Sequence, residues 1–194
     1  MISNRFDFIQ KKFPDLSTER LILRELLVGD AQGLFEIRSN ENVMRWVDRP
    51  LPKTIEDALV TIRQSNEMIA NGTGINWAMC LKETGKLIGF IGFYRLDDAN
   101  DKSEIGYMIL PDFWRKGYTA EAMKVLIPFG FQQLNLHRIE ADINPENEAS
   151  IQLALKMGFI KEAFLRQNFK YNGRYIDTLI CGLLKSDWEE KNPG

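Results

Sequence analysis

The sequence predicts a single α/β (α+β) domain, and three observations predict it. The chain has 194 residues, and domains commonly run about 100–200 residues, long enough to bury a real core. Apolar residues make up 44% and charged residues 27%, the balance of a globular chain rather than a disordered or fibrous one. The spacing of apolar residues switches between periods of two and of about 3.6. The resulting order is strand, helix, helix, three strands, helix, strand, helix, strand, strand, which calls for helices laid on a mixed sheet.

Leu21, Ile22 and Leu23, flanked by Arg20 and Arg24, read as a first strand. Gly29-Asp30 opens a helix carrying Leu34, Phe35 and Ile37. Residues 42–52, with Trp46 and two prolines, read as irregular. Thr54, with Asp57 three residues on, starts a second helix that Asn71-Gly72 stops. Strands are expected over 75–81, 86–94 and 103–110, joined by short turns as an antiparallel meander. Gly89 and Gly92 mark bulges or close backbone approaches. Residues 117–133 read as a helix, kinked where Pro128 removes a backbone bond and crowds the Lys124 carbonyl. A fifth strand covers 138–143, and a helix over 147–157 ends at Gly158. The last two strands, 161–171 and 174–184, flank Asn172-Gly173, a type I′ hairpin signal. No repeat or linker divides the chain, so residues 1–17 read as an N-terminal extension and 18–190 as the domain.

Composition narrows the function. Net charge is −2 and no polybasic stripe is present, so neither nucleic acid nor an anionic membrane is an expected partner. With two cysteines, Cys80 and Cys181, and a lone His137, no metal-ligand cluster is expected. The N-terminal residues lack a continuous apolar stretch, and the longest apolar runs fall well short of the roughly 20 residues that cross a bilayer. A reducing, cytoplasmic setting is the expectation.

The most informative stretch runs from Ser103 to Ala122. A strand ends, a short basic loop with Gly117 follows, and a helix begins. A helix start offers unpaired N–H groups and about half a positive charge, which suits a phosphate group. Arg115 and Lys116 add charge, and Gly117 permits close approach to the backbone. Neither a G-K-[ST] phosphate loop nor a G-x-G-x-x-G dinucleotide fingerprint is present. A plain strand-to-helix turn needing one flexible residue fits the same residues.

Glu104-Ile105-Gly106-Tyr107, followed by Trp114-Arg115-Lys116-Gly117-Tyr118-Thr119-Ala120-Glu121-Ala122, resembles the acetyl-coenzyme A loop of the GNAT superfamily of N-acetyltransferases. The RimJ/RimL-like branch, the ribosomal-protein-alanine acetyltransferases, is the nearest in pattern. Asn147-Glu148-Ala149-Ser150 with Lys156-Met157-Gly158-Phe159 is similar to a second block of that branch, and Thr18-Glu19-Arg20-Leu21-Ile22-Leu23-Arg24 to its opening. The resemblance implies a mixed, mostly antiparallel sheet of seven strands with helices on both faces and a splay between the fourth and fifth. It also implies acetyl-coenzyme A as co-substrate in that splay. The pantetheine would pair with backbone at Met108, Ile109 and Leu110, and the pyrophosphate would rest on N–H groups of Arg115, Lys116, Gly117, Tyr118 and Thr119. Asn147 is similar to an asparagine that touches the pantetheine arm. The chain departs from the wider pattern Q/R-x-x-G-x-G/A at Trp114 and Thr119, and Ala154 stands where many members carry a tyrosine acid. By the same resemblance Ser150, one helical turn earlier, takes over near the sulfur.

The implied reaction sets its own requirements. The attacking amine must be neutral, so a carboxylate or a water chain must take its proton. The oxyanion needs donors, and a backbone N–H near Ile109 would serve where the resemblance implies that the strand splays. No covalent enzyme intermediate is required. Glu104 reads either as that base or as a hydrogen-bonding structural carboxylate, and Glu162 either as the base or as a solvent-facing charge. Ser150 reads either as the donor near sulfur or as a first-turn residue satisfying backbone N–H groups. His137, Cys80 and Cys181 read as structural, and the loop of Arg45, Trp46, Asp48 and Arg49 as one edge of the acceptor site with Asn172-Gly173 opposite. An enzyme acetylating a protein N-terminus or a small-molecule amine, working as a monomer or homodimer, competes with a non-catalytic acyl-coenzyme A sensor on the same fold. A domain that has lost the carrier is the third reading.

Overall fold

The computed structural model describes residues 12–192. Residues 1–11, most of the expected extension, lie outside them. The strands are β1 (Leu16–Ser17), β2 (Leu21–Arg24), β3 (Ile75–Leu81), β4 (Leu87–Asp97), β5 (Lys102–Ile109), β6 (Arg138–Ile143), β7 (Ile160–Tyr171) and β8 (Arg174–Leu184). The helices are α1 (Ala31–Ser39), α2 (Glu41–Met44), α3 (Ile55–Ala70), α4 (Tyr118–Gln132), α5 (Glu148–Lys156) and α6 (Lys185–Lys191). All the strands join one sheet in the order β1-β2-β3-β4-β5-β6-β8-β7. Every neighbouring pair is antiparallel except β5–β6. None of the helices in the described residues is long and apolar enough to cross a membrane.

Among the described residues the expected seven strands are eight. The addition is β1, where Leu16 and Ser17 pair with Leu23 and Ile22; two residues carry no readable period. Two short helices also went unread. Asn40 caps α2 by accepting from the N–H groups of Asn42 and Val43, inside a stretch expected to be irregular. In α6, Trp188 packs on Phe131 with ring centroids 5.5 Å apart. Elsewhere the local signals hold. The Asp57 carboxylate accepts from the N–H groups of Lys53 and Thr54 at the start of α3, and Asn172 and Gly173 take φ of 47° and 78°, the left-handed pair a type I′ turn needs. Helix α4 runs through Pro128 without ending, held by the buried Leu126, Ile127, Phe129 and Phe131 on either side.

Alternation along the central strands divides the core in two. Trp77, Phe93, Ile105 and Ile109 pack with Leu126 of α4 and Ile151 of α5 on one face. Ala78, Cys80 and Phe90 pack with Leu34 of α1 and Ile62 of α3 on the other. A Cβ on Gly92 would lie 2.4 Å from the Ile75 carbonyl oxygen, so the β3–β4 contact tolerates no side chain there. Trp77 is fully buried, donates its indole N–H to the Pro14 carbonyl at 2.7 Å, and meets Phe13, Phe93 and Phe129 edge-on. Trp77→Ala is expected to cost about 3–5 kcal/mol, read as a drop in the urea midpoint at an unchanged slope.

Candidate active site

The β5–β6 ladder is short. It pairs Lys102 with Arg138, Ser103 with Ile139 and Glu104 with Glu140, and there it stops. β5 continues to Ile109 on β4 alone, and β6 continues to Ile143 on β8 alone. A wedge opens between them, as the resemblance implies. The Leu110 N–H bonds the Ile88 carbonyl at 2.9 Å, so the period-two alternation of the strand turns the backbone groups of Tyr107 and Ile109 toward the wedge. The three backbone positions expected to face a pantetheine thus differ. Ile109 faces the opening, its carbonyl accepting from the Trp114 indole N–H at 2.8 Å. Leu110 spends its N–H on Ile88 and its carbonyl on Phe113. The Met108 carbonyl points to β4, only 2.4 Å from where a Gly89 Cβ would be.

At the end of the wedge, Arg115 and Gly117 both adopt left-handed backbone, with φ of 58° and 83°. The arginine conformation costs on the order of 1 kcal/mol. Gly117 is the N-cap residue of α4 and brings no capping side chain. The N–H groups of Tyr118 and Thr119 in the first turn therefore have no intrahelical acceptor. A Cβ at Gly117 would meet only the Arg20 guanidinium, at 3.5 Å. An anionic diphosphate with an extended polar arm fits these two features: uncapped amides at one end and an unpaired strand edge leading away.

The predicted catalytic residues are distributed over both faces. Glu104 lies where the ladder ends, its side chain 18% exposed, with one carboxylate oxygen 3.1 Å from Arg95 Nε. Burial pushes its carboxyl up to about 7 against the pull of Arg95, and Asp142 and Glu140 add to the rise. Arg49, in the loop after α2, is near enough to act electrostatically on both Glu104 and Tyr94. Ser150 belongs to the opposite face. Its N–H donates to the Asn147 side chain at 3.2 Å, so Asn147 caps α5. Its hydroxyl is not spent on the helix: it accepts from the Tyr107 hydroxyl at 2.9 Å, spanning from α5 to β5. Glu162 stands apart from both. Arg138 grips its carboxylate with two N–H groups and holds it below the ordinary carboxylate range.

The acetyltransferase (GNAT) domain model matches residues 20–160. The uncharacterized N-acetyltransferase YoaA of Bacillus subtilis is 39% identical over 173 residues, covering 89% of this chain and 98% of that protein. The chain belongs to the GNAT acetyltransferase family. Among solved structures, this acetyltransferase is similar to the spermidine N-acetyltransferase of Vibrio cholerae in complex with CoA and spermine, with a TM-score of 0.76 at 25% identity, covering 87% of this chain and 98% of that one. It shares its fold with Mycobacterium smegmatis RimJ in complex with CoA-disulfide, with a TM-score of 0.82 at 20% identity over 93% and 90% of the two chains. The activity of the family is acetyl-coenzyme A-dependent transfer to an amine, and the protein is an N-acetyltransferase.

Sequence reasoning weighed Glu104 in the acetyltransferase and passed over Tyr107, although both stand in the same motif. Period-two alternation puts Tyr107 on the face opposite Glu104; that Ser150 waits there is a tertiary fact. Arg95 was also missed. It leaves β-geometry at φ 48° and reaches both Glu104 and Asp142, at 3.1 and 3.3 Å. His137 is exposed, while Cys80 and Cys181 are buried free thiols whose pKa values burial raises. Trp46 lies under the Arg45 guanidinium, 4.4 Å away.

Proposed function

We propose that this acetyltransferase, a RimJ/RimL-like member of its family, moves the acetyl group of acetyl-coenzyme A to a primary amine by direct attack. Glu104 is the proposed base and Ser150 the proposed donor to the departing sulfur. The single observation that carries the reading is the wedge: β5 and β6 part after Glu104 and Glu140, and the opening leads to the uncapped amides at Gly117. Acetyl-coenzyme A, when bound, supplies the activated acyl group and a stable thiolate leaving group. The backbone of Ile109 and the amides of Arg115 to Thr119 hold it, with Asn147 near the arm.

The base and the donor sit on opposite faces of the opening, which separates the two proton transfers. A carboxyl with a pKa of about 7 is ionised in half the molecules at neutral pH and takes a proton from an ammonium group more readily than an ordinary glutamate does. Glu162 does not fit that task, because Arg138 stabilises its ionised form and so makes it a weaker base than an ordinary glutamate. Tyr107 donates to Ser150, which leaves the serine proton free to be given onward. The Ile109 N–H faces the wedge as an oxyanion donor. The acceptor is a protein N-terminus or a small-molecule amine, entering on the Glu104 side beside Arg49.

The test is release of free thiol from acetyl-coenzyme A in the presence of N-terminal peptides, polyamines and amino acids. Turnover with one amine class is expected. Thermal stabilisation by coenzyme A with no thiol released by any amine would instead mark a carrier sensor.

A further inference from the structure

The opening motif of the chain remains unexplained by the reaction, although its side chains reach straight to the carrier-binding turn. We infer that Thr18 and Arg20 form a clamp that sets the Gly117 turn in its anion-receiving shape, Arg20 acting as a positioning residue for the diphosphate of the acetyl donor. This rests on the proposed reading of that turn. Arg20 Nε pairs with Glu121 at 2.7 Å, and its Nη1 donates to the Lys116 carbonyl at 3.0 Å. The guanidinium lies 4.1 Å over the Tyr118 ring. The Arg20 backbone N–H and the Thr18 hydroxyl both donate to the other Glu121 oxygen.

Two consequences follow from these contacts. The Lys116 carbonyl and the Gly117 N–H belong to one trans peptide and point opposite ways. Holding the carbonyl on Arg20 therefore turns the Gly117 N–H away from Arg20, toward the free side of the turn. Glu121 meanwhile sits in the first turn of α4, where its negative charge opposes a bound anion. Arg20 and Thr18 tie that charge down, and their hydrogen bonds outweigh burial in holding the carboxyl below its ordinary range. Arg20 is 41% exposed, and an ion pair so exposed adds little to stability. The effect of the cluster lies in the shape and charge of the turn.

The test compares two donors, acetyl-coenzyme A and S-acetylpantetheine, which lacks the diphosphate. In Arg20→Ala, kcat/KM for acetyl-coenzyme A is expected to fall about tenfold to a hundredfold through KM, with kcat unchanged. The kcat/KM for S-acetylpantetheine should not move. Arg20→Lys should remain impaired, since one ammonium does not reproduce the fork that spans Glu121 and Lys116, and it serves where the alanine variant fails to fold. Adding Glu121→Gln to Arg20→Ala should recover part of the loss by removing the uncompensated charge. Equal losses with both donors, or none with either, would overturn the clamp. Wild-type protein that takes no acetyl group from acetyl-coenzyme A would overturn the underlying function instead.

Discussion

Glu104→Gln is expected to lower kcat/KM for the amine by about 10²–10⁴, the range for losing a positioned general base. The pH profile carries the sharper signature. With the Glu104 carboxyl raised to about 7, wild-type activity should climb as pH rises through that value, and the glutamine variant should lose this limb. Stability moves the other way. A carboxyl with a pKa higher in the folded than in the unfolded state binds more protons when folded between about 4.5 and about 7. Its contribution is present below the unfolded value and is lost as pH rises to the folded one. Glu104→Gln should flatten that part of the stability curve. Glu162→Gln is the control: it breaks the Arg138 pair and should leave both kcat and the acid limb in place. An unchanged limb in Glu104→Gln, or its loss in Glu162→Gln, would reverse the two assignments.

Ser150→Ala is expected to reduce kcat by about 10², the low end of acid–base effects, because a thiolate needs only modest help to leave. KM for acetyl-coenzyme A should hold, since the Asn147 cap on α5 uses the Ser150 backbone and not its hydroxyl. Tyr107→Phe should give a smaller loss, and the double variant should be no worse than Ser150→Ala alone, as for two members of one hydrogen-bonded unit. Ser150→Thr, which restores a hydroxyl, should recover much of the rate. Full additivity would mean that Tyr107 acts independently of Ser150.

Much of the fold was legible because local patterns carry it. The alternation in β3 to β5, the Thr54–Asp57 start, the Asn71-Gly72 stop and the Asn172-Gly173 turn each depend on residues within a few positions of one another. The elements that escaped, β1, α2 and α6, have two, four and seven residues. At that length no period is established; β1 and α6 exist through contacts made elsewhere, β1 on β2 and Trp188 on Phe131, while α2 is held by the local Asn40 cap. The candidate site divides on the same line. Glu104, Ser150 and the Gly117 turn were named from motifs. Which carboxylate is buried without a dominating cation, and which is gripped by Arg138, was not.

By itself the sequence determined the family, the order of the longer elements and the residues that carry the motifs, since those depend on periodicity, turn chemistry and residue type at fixed spacing. Only the tertiary structure decided which groups meet. Tyr107 reaches Ser150 across 43 positions of chain, and Arg20 reaches Glu121 across 101. Such pairings follow from how strands register and where a ladder ends, and a carboxyl's proton affinity follows from what surrounds it in space. Neither is encoded in any short window, because burial and Coulomb interaction act through distance in the folded molecule and not along the chain.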